Sequence, residues 1–238
     1  MKKIVFITAM LIFGFGSCKK DKYSGPQFGT VTDVEGNVYK TVKIGDQWWM
    51  AENLKVTMLN DKTPIPMVFS YQTWSDPNII SPMLCYYNND YANIATFGML
   101  YNWHAVNTGK LAPTGWHVPT DSDWQKLQNY LIANGYNYDG TKTGNKIAKS
   151  LAATSGWEND QTEGNVGNNQ TANNKSGFNA FPAGCRNDTE DYAFSGIFSF
   201  WWNSTGSNNA TGIQFNTNEL ILSTAAPRFG LSVRCVKD

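Results

Sequence analysis

The spacing of apolar positions divides the chain into stretches of different character. In residues 29–54, "GTVTDVEGNVYKTVKIGDQWWMAENL", apolar and polar positions alternate through "VTDV" and "VYKTVKI". "EGN" at 35–37 forms one tight turn and "GDQ" a second, so a β-meander leading into "WWMAENL" is predicted. Residues 60–82 carry Pro64, Pro66, Pro77 and Pro82. Each proline removes a ladder donor, and the segment is expected to be mostly irregular. From 91 to 106, Ile94, Phe97, Leu100, Tyr101 and His104 recur at helical spacing and predict one helix. The segment "PTDSDWQKLQNYLIANG" gives a stronger helix signal: Thr120 as cap, Asp123 three residues on as a short capping-box acid, an apolar stripe of Trp124, Leu127, Tyr130 and Leu131, and Gly135 as a stop.

Between 136 and 176 the chain is rich in Asn, Gly, Thr and Ser, with one short apolar helical stretch in "NKIAKSLAA". A polar loop region this long in a compact domain is more often functional than accidental. Strand signals return in "SGFNAFPAGCRN", "IFSFWWNST", "ATGIQFN", "NELILST" and "RFGLSVRCVKD". The fold class expected is α+β: two helices, a C-terminal antiparallel sheet and an N-terminal β-hairpin extension, with no internal repeat.

Composition narrows the partners. The 238 residues suffice for one domain with a sizeable core, placed at 28–238. Nineteen basic residues balance nineteen acidic ones, so no basic field draws nucleic acid. Only 16% of residues are charged while 14% are aromatic, which suits a loop-rich, extracellular, hydrogen-bonding surface.

The first residues have another purpose. Lys2 and Lys3, an apolar run from Ile4 to Phe15, then small residues and a cysteine follow the order of a secretory signal, assigned to residues 1–17. The run is too short for an ordinary membrane span. Its ending "FGSC" resembles a bacterial lipobox, although Phe15 stands where Leu is more usual. On that reading Cys18 is the lipidated first residue, residues 18–27 are a tether to the membrane, and the domain faces water as part of a cell-envelope, outer-membrane lipoprotein. The alternative is a plain signal peptide cleaved near Ser17. Without Lys2 and Lys3, 17 basic residues face 19 acidic ones. Cys85, Cys185 and Cys235 remain, an odd number that allows one bridge and one thiol, or an intermolecular pair. Without a CxxC motif or Cys/His cluster, a structural zinc site is not expected.

The ordered set "DVEGNVYKTVKIGDQWWMAENLK", "YYNNDYANIATFGMLYNWHAV", "LAPTGWHVPTDSDW", "SGFNAFPAGCRN", "FWWNST" and "GLSVRCVKD" resembles the Fibrobacter succinogenes major paralogous domain over residues 28–238. That family occurs in secreted and lipid-anchored proteins of Fibrobacter and Bacteroidetes. It is similar in layout to the C-type-lectin-like and formylglycine-generating-enzyme folds, in which "HVPTDSDW" corresponds to the helix entry and "GLSVRC" to the closing strand. The resemblance implies architecture and location, and no particular activity. Many members carry a cysteine where this chain has Ala112, able to pair with the cysteine of the C-terminal strand. Here the resemblance leaves Cys185 as the candidate partner of Cys235, with Cys85 odd; a Cys85–Cys235 pair is the alternative.

The chemistry-bearing residues point to recognition more than to catalysis. His104 and His117 are the only imidazoles, and no Ser or Cys nucleophile motif accompanies them. Asp121 and Asp123 complement the helix dipole. The cysteine pair that formylglycine-generating relatives use has no counterpart in the spacing of 85, 185 and 235. "DPN" at 76–78, "WEND" at 157–160 and "WWNST" at 201–205 do not reproduce a calcium-lectin order. No cofactor or metal is assigned, with a structural calcium ion in loop carbonyls left open. Trp48, Trp103, Trp116 and Trp201 are expected in the core, and Trp157 is the candidate exposed aromatic. The ligand-binding residues expected are Trp157, Asn159 and Asp160 in one loop and Arg186, Asp188 and Asp191 in another. The function expected is non-catalytic binding of an extracellular glycan or surface protein. The alternatives are a structural part of a surface assembly or adhesin, and a formylglycine-generating-type enzyme with altered chemistry.

Overall fold

The computed structural model describes residues 25–188, 191–206 and 208–238. The signal segment, Cys18 and the first part of the tether lie outside the described residues.

The N-terminal alternation becomes β1 (Gln27–Thr32), β2 (Val38–Ile44) and β3 (Gln47–Met50), paired antiparallel in that order. Asp33 builds the first turn: one carboxylate oxygen accepts the N–H groups of Glu35 and Asn37, both at 2.9 Å, and the other takes the Tyr39 hydroxyl at 2.6 Å. The proline-rich segment contains only a short helix, α1 (Tyr71–Ser75), before β4 (Leu84–Cys85).

The single helix expected over 91–106 is instead broken. A 3-10 turn at Tyr91–Asn93 runs into α2 (Ile94–Phe97), Gly98 turns the chain at φ +70, β5 (Leu100–Tyr101) pairs with β4, and α3 (Trp103–Val106) follows. A Cβ on Gly98 would lie 2.7 Å from the Leu54 carbonyl oxygen, so only glycine lets the backbones approach this closely. Asn102 then caps α3: its side-chain oxygen accepts from Ala105 N at 3.1 Å and from Met83 N at 3.0 Å. The strand pairing of β5 overrides a helical periodicity that is real in the sequence.

β6 (Trp116–His117) leads into α4 (Asp121–Ala133), where the predicted capping box is present in full. Thr120 Oγ1 accepts from Asp123 N at 3.2 Å and the Asp123 carboxylate accepts from Thr120 N at 3.0 Å, an arrangement that contributes about 1 kcal/mol. The apolar stretch at 145–153 yields α5 (Ala148–Leu151). Four elements follow: β7 (Cys185–Arg186), β8 (Tyr192–Ala193), β9 (Phe198–Trp202) and β10 (Asn209–Gln214). β11 (Ile221–Thr224) and β12 (Val236–Lys237) complete the described elements.

The result is a mixed helix and sheet fold with antiparallel sheets. β9, β10 and β11 make the expected C-terminal sheet, in the order β11-β10-β9. β12 joins the meander instead, completing a five-stranded sheet in the order β1-β2-β3-β12-β6. One sheet thus gathers the first strands, the strand before α4 and the last strand. Between it and α4 lies an aromatic cluster: Trp49 and Trp124 have ring centroids 4.7 Å apart, and Trp124 and Phe178 each lie within 6.0 Å of Trp201 or of one another. Such pairs add about 1 kcal/mol each beyond the area they bury. Trp103 and Trp201 are buried as expected, whereas Trp48 and Trp116 are half-buried.

Cys185 and Cys235 are both buried in one apolar cluster, and no disulfide joins them, contrary to the pairing expected. Cys235 packs against Met50, its backbone N–H 3.4 Å from the thioether sulfur, and burial pushes its thiol pKa up. No helix among the described residues is long and apolar enough to cross a membrane.

Candidate functional site

The two loops expected to bind a ligand are occupied with their own structure. Trp157 is only 5% exposed, not the surface aromatic anticipated. Gln170 pins it: the Trp157 backbone N–H donates to Gln170 Oε1 at 3.1 Å and the Gln170 amide donates to the Trp157 carbonyl at 2.7 Å, as a paired strand would. Asn159 is exposed, and Asp160 accepts from Thr162 N at 2.7 Å and Asn165 Nδ2 at 3.0 Å, shaping its own turn and lowering its pKa.

Arg186 is fully buried. Its Nε donates to Asp191 Oδ1 at 2.6 Å, its terminal nitrogens donate to the carbonyls of Val68 and Phe69 at 2.6 and 2.9 Å, and it stacks between Trp74 and Tyr192. Asp188 pairs with Arg228, and its carbonyl accepts the Tyr71 hydroxyl at 2.6 Å. Arg186 and Asp191 are therefore brought together, but as a clamp that binds the β7–β8 hairpin to the proline-rich segment. No hydrogen bond or ion pair among the described residues joins the 157–160 set to the 186–191 set.

The open surface lies elsewhere. Two adjoining cavities of about 320 and 560 Å³ share Lys55, Ile94 and Ala95 and together form one groove. One side is the chain leaving β3, which the sheet holds in place: Ala51 N donates to Lys40 O at 2.8 Å, Leu54 N to Val233 O at 2.8 Å, and Lys55 N to the Tyr39 hydroxyl at 3.1 Å. The opposite side is the 3-10 turn and α2, fixed by Asp90, whose carboxylate accepts from Ala92 N at 3.0 Å. Because Gly98 permits close contact with Leu54, these walls converge at the inner end of the groove, where Asn53 and Arg234 form the floor.

The wider half has an aromatic wall. Tyr91 is 77% exposed and meets Tyr86 edge-on at 6.2 Å, and Tyr86 meets Phe69 edge-on at 5.2 Å. Glu35 and Thr57 face it from the other side, with both Glu35 carboxylate oxygens accepting from Thr57. The narrower half is charged. Glu52 accepts the Lys40 backbone N–H at 2.7 Å, and the Lys55 ammonium lies 5.7 Å above the Tyr39 ring. Burial holds the Tyr39 phenol far above its usual range, reinforced by its bond to Asp33. Burial also pushes Arg234 down to about 9, against the opposing field of Glu52.

Exposed ring faces beside carboxylates, amides and ammonium groups are what a saccharide needs: its CH faces lie on the rings and its hydroxyls bond to the polar groups. None of these groove residues stands out as a ligand contact in the sequence. The signal available is "YYNNDY" at 86–91, an aromatic run interleaved with Asn and Asp in turn-forming order; helical spacing draws attention to the residues just after it.

The two histidines stand apart from the groove's lining. His104 is half-buried, with its pKa lowered by burial. His117 lies between Asp238 and Asp123, at 2.6 and 3.1 Å.

Residues 42–237 match the family model described as Fibrobacter succinogenes major domain. No curated protein and no solved structure matches the chain.

Proposed function

The chain belongs to the Fibrobacter succinogenes major domain family, and from that premise we propose that it is a cell-envelope lipoprotein whose domain, of C-type-lectin-like layout, binds an extracellular glycan without catalysis. The observation that carries the reading is the groove over Lys55, where the exposed face of Tyr91 stands opposite Glu35, Glu52 and Lys55 in one concave surface. Sugar sites combine such stacking faces with a few placed polar groups. The signal-like residues 1–17 and Cys18 support the location, because an envelope lipoprotein presents its domain to extracellular polymers. The layout is supported by the sheet that joins the first and last strands beside α4.

The test is a glycan array probed with the chain from Lys19 onward, which keeps every described residue. Binding that Tyr91→Ala removes, with an unchanged melting temperature, is the expected result. Equal binding by the Tyr91→Ala variant would move the site away from the groove.

A second reading, assembly with other copies at the surface, is favoured by β1. It lies at the edge of the five-stranded sheet and leaves Phe28 63% exposed. Sedimentation of the same chain tests it: a monomer at all concentrations would set it aside.

A further inference from the structure

Two arginines of this protein are buried to within 1% of complete, and they are neutralised differently. Arg186 has the Asp191 carboxylate at 2.6 Å. Arg234 has only neutral acceptors: Asn53 Oδ1 at 2.8 Å, the Asn179 carbonyl at 2.9 Å, the Phe178 carbonyl, and the Met50 carbonyl at a long 3.5 Å. Its guanidinium stacks 4.4 Å from the Phe178 ring and 5.6 Å from that of Trp201. Among the described residues no carboxylate comes within ion-pair distance of it. A buried charge is ordinarily matched by an opposite one, because its field is weakly screened and persists in whatever cavity adjoins it.

The adjoining cavity is the narrow half of the groove, which opens above Arg234. Lys40 and Lys55 line the same cavity and make no ion pair among the described residues. The groove's two carboxylates are held by neutral donors, which cancel none of their charge: Glu35 accepts twice from Thr57, and Glu52 accepts from Lys40 N and acts on Arg234 through its field. Three cations thus line the groove against two carboxylates, Glu52 beside them and Glu35 in the wider half, and one positive charge is left without a balancing carboxylate among the lining residues.

We propose that the ligand of this groove is anionic: a carboxylate-bearing saccharide whose carboxylate seats between Lys40 and Lys55, above the field of Arg234, while a sugar ring lies against Tyr91. This rests on the glycan-binding reading and specifies its substrate class. Lys40 and Lys55 make the contact, and Arg234, too buried to be reached, supplies the positive floor. Glu52 is the opposing charge, and it disfavours the ligand that the lysines attract.

The experiment uses the chain from Lys19 onward on an array of uronate-containing, sialylated and neutral oligosaccharides, followed by titration of each binder in its free-acid and methyl-ester forms. Esterification keeps the sugar and removes the charge. The free acid is expected to bind at least tenfold more tightly than its ester, with affinity falling as salt rises. The Lys40→Ala, Lys55→Ala double variant should lose that preference while keeping its melting temperature, and Glu52→Gln should tighten the acid several-fold. If only neutral glycans bind, or acid and ester bind equally, and Tyr91→Ala still abolishes binding, the anionic ligand is overturned and the glycan reading stands. If no glycan binds at all, both fall together.

Discussion

The Nδ1 of His117 lies 2.6 Å from the Asp238 carboxylate, tying the end of the five-stranded sheet to the strand that enters α4. Its Nε2 lies 3.1 Å from Asp123, the acid of the capping box, so one imidazole bridges a sheet strand and a helix cap. Partial burial works against a proton on the ring, but the two carboxylates outweigh it and the His117 pKa is raised above 6.5. Burial would raise the Asp123 pKa, yet the Thr120 hydroxyl and backbone N–H, together with His117, hold it below 3.8.

These opposite shifts predict a window of stability. The raised His117 contributes fully below its unfolded value near pH 6.5, and that contribution is lost as pH climbs through its folded value. The lowered Asp123 contributes above its unfolded value near 3.8 and is lost as pH falls through its folded value. The cluster should therefore stabilise most between about pH 4 and 6.5. Because the imidazole is 39% exposed, the amount is screened to about 0.5–1 kcal/mol. Thermal melts of wild type and His117→Gln across pH 4 to 9 should converge at the alkaline end; a difference that is constant with pH would rule out a protonated bridge.

Lys149 predicts how the Asn-rich region is held. Its ammonium is buried and surrounded by the backbone carbonyls of Asn165 at 3.2 Å, Asn169 at 3.4 Å and Asn168, and burial lowers its pKa. A lysine so placed does for these carbonyls what a loop cation would do. Lys149→Met should cost about 1–3 kcal/mol for the carbonyls left unsatisfied, seen as a lower denaturation midpoint. Chelator should leave the wild-type melting temperature unchanged, and a fall on chelation would show that a metal shares the loop.

How far the sequence discloses this fold depends on where the deciding contact lies. The α4 capping box is local, with cap and acid three residues apart, and it is legible in "TDSD". The meander is likewise fixed by turns within a few residues. The break in the helix expected over 91–106 is decided by partners distant in sequence: β4, with which β5 pairs, and Leu54, whose carbonyl leaves no room for a side chain at Gly98. The groove is hidden for the same reason: most of its lining comes from 35–57 and 86–99, the rest from Met67, Asn179, Phe181 and Arg234, and no periodicity links them. The burial of Trp157 is not legible either, because polarity along a loop does not reveal that Gln170 turns it inward.

Gly98 is where the closeness of the two walls can be measured. At φ +70, and with Leu54 O 2.7 Å from the place a methyl group would occupy, Gly98→Ala should cost about 2–4 kcal/mol from backbone strain and overpacking together. Urea denaturation measures it. A loss under about 0.5 kcal/mol, the range of an ordinary surface substitution, would mean that the two walls of the groove separate easily, and that Gly98 is not what holds them together.

Tyr91 and Trp157 together separate recognition from packing. Trp157 is 5% exposed and Tyr91 77%, so truncating each to alanine removes a large ring from opposite environments. Trp157→Ala should lower stability by about 3–5 kcal/mol, the cost of emptying a buried aromatic site, and leave the affinity of the molecules that remain folded unchanged. Tyr91→Ala should stay within about 0.5 kcal/mol of wild type in stability, as surface substitutions do, and lose at least tenfold in glycan affinity. Denaturant titration and binding titration on the same preparations give both numbers. The reverse pattern, with binding lost at Trp157 in folded protein and kept at Tyr91, would return the site to the 157–160 loop and require Gln170 to release the indole when ligand arrives.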